Sequence, residues 1–297
     1  NKPLNAYLIT IGTLIVIYAI TVYGLNVIVG YAGQISLGHA AFFGIGAYAS
    51  ALLTTKAGLS FWEALPIVII LSGLIGMILG LPSLRLREDF LAITTIGINF
   101  IVEALFLYVP FFGGALGIGG IPRVFLFGVK LKGMAFFLLC LGFLAIVIFI
   151  CWWFTRSWGG VACFALREDE SAAASMGISP VRFKLLAFVI GTMMAGLGGA
   201  LYAHYMRFIS ATDFSFPMSI TFLSMIVLGG MGTLWGPLLG AVLLGILPEL
   251  FRPIVDYRIL FYTALLLVMI RFQPAGLLGE GSIVRKWLIL KPAGGPP

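Results

Sequence analysis

Charged residues are scarce in this sequence of 297 residues. Asp, Glu, Lys and Arg together make up 10% of it, whereas soluble domains average about 25%. Apolar residues make up 61%, and the mean hydropathy is +1.12. A soluble fold of this size cannot bury so much apolar surface. These values exclude a soluble enzyme, a disordered chain and a disulfide-rich secreted domain, and they indicate an integral membrane protein.

Metal-binding side chains and phosphate-binding loops are also lacking in the sequence pattern. The three cysteines and two histidines have no spacing typical of a metal site. The glycine-rich stretches 113–120 and 229–236 lack the Lys and Ser/Thr that end a phosphate-binding loop. We therefore expect no catalytic residue, no metal site and no cofactor bound by this chain. The net charge of +7 comes from cations that stand singly between apolar runs, which indicates contact with membrane lipid rather than with nucleic acid.

Long uncharged runs predict an all-α, polytopic bundle of about nine membrane-spanning helices, within a range of eight to ten, in a single domain over residues 1–297. About 20 apolar residues cross a bilayer as a helix. The predicted spans are two within 3–55, one each at 64–84, 90–109, 133–155 and 185–206, two within 214–248, and a short one at 259–270. Glycines at four-residue spacing favour close helix packing over a ligand site.

Two glycine-rich breaks divide the paired spans. The first covers Gly30–Gly38 and the second lies near Gly229–Pro237. Val29–Gln34 (VGYAGQ) is similar to Leu228–Thr233 (LGGMGT), although six residues are few enough to match by chance. Repeats of this kind are common in transporters.

A charged loop follows the fifth predicted span. Residues 165–177 combine charges at Arg167, Glu168, Asp169 and Glu170 with an alanine run and with Gly177, a natural helix end. The pattern predicts one short helix with a surface of small residues. On the residues alone, such a helix either docks in a cleft of another protein or is an ordinary solvated surface helix.

Four blocks of sequence resemble the branched-chain amino-acid permease family, most closely its larger LivM-type subunit. In order, they are GYAGQISLGHAAFFGIGAYASALL (Gly30–Leu53), GALGIGGIP (Gly114–Pro122), GGMGTLWGPLLGA (Gly229–Ala241) and RFQPAGLLG (Arg271–Gly279). The charged loop resembles the coupling segment through which permeases of ATP-binding-cassette (ABC) importers touch their ATPases. The likeness covers most of the chain.

This resemblance implies one transmembrane subunit of an ATP-driven importer for branched-chain or other apolar amino acids, in the bacterial inner membrane. The implied partners are a second, LivH-type permease subunit, two cytoplasmic ABC subunits that use ATP and Mg²⁺, and a periplasmic substrate-binding protein. Substrate would move by alternating access. Urea and short-amide permeases share much of the pattern and stay an alternative. A self-sufficient secondary transporter or channel is the rival class.

Five polar residues are candidates for the substrate pathway. Gln34, Ser36 and His39 accompany the first break, where irregular backbone at membrane depth must be satisfied by protein or by a water-filled cavity. An ordinary cytoplasmic turn is the alternative. Asn99 and Glu103 share one helix face. Glu103 either pairs with a substrate ammonium or is a structural or protonated acid.

Seven residues are candidates for coupling to the ATPase. They are Arg167, Glu168, Asp169, Glu170, Ala172, Ala173 and Gly177. The resemblance places them on the cytoplasmic side, and alternation of the predicted spans then places the break at 30–38 on that side too.

Overall fold

The computed structural model describes residues 2–83, 88–126, 128–250 and 276–278. Most of these residues are helical. The α-helices are α1 (Lys2–Leu25), α2 (His39–Thr55), α3 (Phe61–Ser83), α4 (Glu88–Tyr108), α5 (Met134–Arg156), α6 (Trp158–Glu168), α7 (Glu170–Ser175), α8 (Pro180–Met206), α9 (Phe216–Gly229) and α10 (Gly236–Leu250). A π-helix, Asn26–Tyr31, extends α1.

Small non-helical elements were not predicted. Strand β1 (Ile118–Gly119) pairs antiparallel with β4 (Phe208–Ile209), and β2 (Phe125–Leu126) pairs with β3 (Val129–Lys130). Short 3₁₀ turns occupy Pro110–Phe112, Gly114–Leu116 and Ala211–Phe214. All of them lie in loops, and the helical bundle remains the architecture.

Among the residues that the structure describes, six segments are long and apolar enough to cross a membrane. They are Tyr7–Tyr31, Phe61–Leu81, Phe90–Tyr108, Met134–Arg156, Pro180–Met206 and Ala211–Gly229. Two of the predicted spans are shorter helices: α2 has 17 residues and α10 has 15. The predicted span at 259–270 lies outside the described residues, so these ranges do not confirm the count of nine.

Helix α8 forms the centre of the bundle, where it packs against α1, α2 and α3. Glycines allow this contact: a Cβ at Gly24 of α1 would overlap the carbonyl oxygen of Gly191, and a Cβ at Gly46 of α2 would overlap that of Gly196. The predicted role of glycine in close packing is confirmed here. Because lipid provides no hydrophobic drive for association, such close backbone contact supplies the van der Waals attraction that holds the helices together.

The loops gather at two ends of the bundle. Residues 31–38, 156–180 and 229–236 form what we call the α7 end, where Arg167 reaches Gly30. Residues 55–60, 109–133 and 207–215 form the strand end, where Trp62 donates a hydrogen bond to the carbonyl of Phe125. The first break and the charged loop therefore lie at the same end, as the alternation of spans predicts.

Candidate functional site

The first break is a short stretch of irregular backbone that joins the π-helix to α2. Helix geometry ends at Tyr31, and Gly33 then adopts a φ of 68°, a left-handed conformation that favours glycine. The chain stays irregular until α2 begins at His39. π-Helices are rare and occur frequently at functional positions. The structure thus has a non-helical segment at the place that the sequence predicts.

The three predicted polar residues of this break are completely buried. Gln34 Nε2 donates a 2.9 Å hydrogen bond to the carbonyl of Lys184, and His39 Nε2 lies 3.0 Å from the carbonyl of Thr21. Within the described ranges, Gln34 Oε1, Ser36 Oγ and His39 Nδ1 are buried atoms that have no hydrogen-bond partner. Unsatisfied buried polar atoms are costly, so these three are available to a polar ligand, to water or to an alternative conformation.

Asn99 is joined to the start of α2 by a buried relay that sequence reasoning missed. Asn99 Oδ1 accepts a 3.0 Å hydrogen bond from Ser219 Oγ, which in turn accepts one of 2.9 Å from the backbone N–H of Ala40. Asn99 Nδ2 donates to the carbonyl of Phe214 at 3.3 Å. The sequence gives no signal for this contact, because Ser219 is one of many serines and lies far along the chain.

Glu103 stands apart from this relay. It lies one helical turn beyond Asn99 on α4 and is partly exposed. In the ranges that the structure describes, its carboxylate has neither a hydrogen bond nor an ion pair. The structure therefore brings Gln34, His39 and Asn99 into one buried polar region around the break but does not link Glu103 to it.

The predicted single helix over residues 165–177 is divided in the structure, which corrects that expectation. Helix α6 ends at Glu168, and α7 begins at Glu170. Between them Asp169 is extended, with φ −154° and ψ 106°, and its side chain accepts a 2.9 Å hydrogen bond from the backbone N–H of Ala172. Asp is a strong N-cap, and capping requires non-helical backbone. The same acidic residue therefore starts α7 and interrupts the longer helix.

The end of α7 follows the prediction. Gly177 has a φ of 86°. Its N–H bonds to the carbonyl of Ala174, and the N–H of Ile178 bonds to that of Ala173. These two bonds form a Schellman motif, which requires a left-handed residue and favours glycine. Ala173 is buried, whereas Ala172 and Ser175 are exposed. Helix α7 therefore has one alanine against the bundle and an open outer face.

An ion pair connects α7 to the bundle. Glu170 Oε2 lies 2.6 Å from Lys184 Nζ, and the Lys184 side chain is only 8% exposed. The carbonyl of Lys184 accepts the hydrogen bond of Gln34. Glu170 thus contacts the first break through one intermediate residue. Lys184 was missed by sequence reasoning because a single Lys before an apolar run is typical of a membrane boundary.

A second connection runs through Arg167 of α6. Its Nη1 atom donates a 2.6 Å hydrogen bond to the carbonyl of Gly30 in the first break. Arg167 and Glu168 also line a cleft of about 650 Å³ at the α7 end, together with residues of the second break such as Trp235. Arg167 and Glu170, both among the seven predicted coupling residues, therefore make polar contacts with the bundle.

A separate apolar cavity of about 550 Å³ lies between α2, α3 and α4. Its wall includes Tyr48, Leu71, Ile98 and Phe106. It exposes no polar surface, so it can hold an apolar group but cannot satisfy the charged head of an amino acid.

Comparisons with known proteins identify a family. The family model described as branched-chain amino acid transport system / permease component matches residues 7–271. The chain is 38% identical to the high-affinity branched-chain amino acid transport system permease protein LivM of Escherichia coli K12, over 91% of this chain and 69% of the relative.

Two further relatives carry related names. The chain is 32% identical to the permease protein LivH of the same transport system from E. coli K12, over 48% of this chain and 46% of the relative. It is 26% identical to the permease protein BraD of Pseudomonas aeruginosa, over 90% and 92%. No solved structure matches the chain.

Proposed function

The chain belongs to the branched-chain amino acid transport permease family, and we propose that it is one transmembrane subunit of an ATP-driven importer for branched-chain or other apolar amino acids. We place it in the bacterial inner membrane with the α7 end facing the cytoplasm. Its relatives are named as permease proteins, and in this proposal separate subunits use ATP and Mg²⁺.

The observation that carries this proposal is the geometry of α7. The helix is short, capped at both ends, and exposed on its outer face. Glu170 at its first position is paired with a buried cation in the bundle. A solvated surface helix has no need of such a pair, since exposed ion pairs contribute little. A helix that transmits force from a partner needs a firm attachment at its inner side.

Three kinds of partner complete the proposed importer. Similarity to both LivM and LivH supports pairing with a second, LivH-type permease subunit. One of two cytoplasmic ABC subunits would bind α7, and a periplasmic binding protein would deliver substrate to the strand end. Closure of the ATPases on ATP would move α7 and change the packing around the first break, which is alternating access in structural terms.

The substrate pathway in this proposal passes the first break. Gln34 Oε1 and Ser36 Oγ are acceptors for an ammonium group, and Asn99 lies at the other side of the buried region. Glu103 supplies a negative charge further along α4. A charged side chain at the bilayer centre costs about 2.5–3.5 kcal/mol, and in this proposal a cationic ligand provides the counter-charge for Glu103.

Uptake by the reconstituted importer tests the proposal. The permease is purified with its partner subunits and placed in proteoliposomes, and radiolabelled leucine and urea are compared with and without ATP at the ATPase face. We expect leucine uptake that needs ATP and survives dissipation of ion gradients. ATP-dependent urea uptake without leucine uptake would assign the alternative substrate class. Leucine uptake by the permease alone, driven by a proton gradient, would contradict the importer.

A further inference from the structure

The two glycine-rich breaks share a left-handed glycine as well as their sequence pattern. Gly33 and Gly232 occupy the same position in the similar segments VGYAGQ and LGGMGT, and both have left-handed backbone, with φ 68° and 77°. In the structure the segments are neighbours: a Cβ at Gly232 would lie 2.9 Å from the carbonyl oxygen of Gly30. The similarity that sequence alone left to chance therefore corresponds to two neighbouring turns, each with a left-handed glycine at the matching position.

Arg167 lies against both turns. A Cβ at Gly33 would lie 3.1 Å from Arg167 Cγ, and a Cβ at Gly232 would overlap Arg167 Nη1. The same Nη1 atom donates the 2.6 Å hydrogen bond to the carbonyl of Gly30. The stem of this side chain thus covers one left-handed glycine, and its head covers the other.

Asn26 makes the remaining link between the breaks. Its Oδ1 atom accepts a 2.9 Å hydrogen bond from the N–H of Gly232, and its Nδ2 atom donates one of 3.0 Å to the carbonyl of Thr233. Asn26 is completely buried and belongs to the π-helix. Arg167, in contrast, is exposed and comes from another element, so its link is the one that an external movement can break.

The position of Arg167 in the chain connects it to α7. It is the second-last residue of α6, and the extended residue Asp169 follows Glu168 before α7 begins. A displacement of α7 therefore acts on Arg167 across two residues. Hydrogen bonds from a charged donor are about twice as strong as neutral ones, yet an exposed one exchanges with water when its geometry is lost.

We propose that Arg167 is a positioning residue that holds the two glycine turns at Gly33 and Gly232 together, and that movement of α7 releases both breaks at once. The coupling role rests on the proposed importer function, whereas the holding role does not. The sequence assigns Arg167 to contact with the ATPase; in this account it acts on the membrane domain instead.

Thiol accessibility in the full-length permease tests the holding role directly. Ala32 in the first break and Leu228 of α9, directly before the second break, are 1% and 2% exposed. Ala32→Cys and Leu228→Cys therefore serve as separate reporters. The native cysteines are all buried and give a low background. Each reporter is combined with Arg167→Ala, with Arg167→Lys, or with the control Arg182→Ala, which removes another cation at the α7 end.

We expect Arg167→Ala to raise the labelling rate of both reporters at least fivefold and Arg182→Ala to change neither. Arg167→Lys should give an intermediate rate, because an ammonium can still bind Gly30 but cannot cover Gly232. If Arg167→Ala does not fold, Gly232→Ala displaces the guanidinium while keeping its charge and should raise both rates. Unchanged rates, or a rise at one reporter only, would overturn the proposal.

The assembled importer separates coupling from a purely structural role. Trapping the ATPases with vanadate should raise the labelling rate of both reporters in the parent. With Arg167→Ala, trapping should produce no further rise. This variant should also lose most uptake while ATP hydrolysis continues. A trapping response that persists with Arg167→Ala would overturn the coupling role. If the parent shows no ATP-dependent uptake, the proposed importer function is contradicted. The labelling rates would still test the holding role of Arg167.

Discussion

Lys184 of α8 and Glu170 of α7 form an ion pair in which the two charges have very different surroundings. Nζ and Oε2 are 2.6 Å apart, and the side chains are 8% and 45% exposed. A buried ammonium requires a partner, so the position of α7 is fixed from inside the bundle. The pair is also the point where α7 is connected to Gln34 of the first break.

Removing the acid should uncouple α7 from the bundle. Glu170→Gln removes one counter-charge from the buried ammonium of Lys184. For a fully buried pair this costs about 3–5 kcal/mol; the partial exposure of Glu170 lowers our expectation to about 1–2 kcal/mol. Thermal unfolding in detergent measures the loss, and uptake per ATP hydrolysed should fall with it.

The exposed neighbour provides the control for this prediction. Glu168→Gln removes the same charge from the end of α6 and should leave the unfolding temperature unchanged. If Glu170→Gln is as stable and as well coupled as the parent, the ion pair does not anchor α7.

A second prediction concerns the turn after α7. A Cβ at Gly177 would have no atom within 4 Å, so any effect of substitution there is conformational rather than steric crowding. The left-handed region costs ordinary residues about 1–2 kcal/mol, and Asn enters it more readily. We expect Gly177→Val to abolish substrate-stimulated ATP hydrolysis and uptake while Gly177→Asn retains them.

Surface labelling measures whether both variants insert in the membrane. Equal insertion shows that a loss of uptake is not caused by loss of the protein. Equal loss with Asn and Val would show that the left-handed turn is not what matters at this position.

The sequence predicted the secondary-structure elements around the site better than the side-chain contacts within the site. The helix end at Gly177 and the break at Gly30–Gly38 were predictable because glycine, alanine runs and charge gaps are local signals. The partners of those segments were not predictable, since Lys184, Ser219 and Asn26 are single polar residues whose roles depend on helix packing. The division of the predicted helix at Asp169 was not predicted. Acidic residues are favoured both in the first turn of a helix and at its N-cap, so the sequence does not distinguish the two positions.

The charge of Glu103 is the subject of a third prediction. If it attracts a substrate ammonium, Glu103→Gln should raise the KM for leucine about tenfold with little change in maximal uptake, while Glu103→Asp retains part of the affinity. Uptake kinetics in proteoliposomes measure both values. An unchanged KM in Glu103→Gln would assign the carboxylate a structural role, or a role at the interface with another subunit.

The thiol of Cys163 in α6 should be unreactive. Burial raises its pKa to about 12, and Sγ donates a 3.6 Å hydrogen bond to the carbonyl of Phe183. Because the thiolate is the reactive form and the pKa is raised, fewer than about one thiol in a thousand is ionised at pH 8. We expect no maleimide labelling between pH 7 and about 9 in the folded permease and full labelling after denaturation. Rapid labelling at pH 7 would contradict the packing of α6 against α8.

Cross-linking from α7 to an ATPase subunit is the most direct test of the proposed importer. Ser175→Cys places a thiol on the exposed outer face of α7, whereas Ala173→Cys places one on its buried face as a matched control. In the assembled complex, a short cross-linker with a maleimide at one end and a photoactivatable group at the other should join position 175, and not position 173, to the ATPase. The yield should change on ATP binding. No cross-link from position 175 in a complex that transports leucine would contradict the assignment of α7 as the coupling helix.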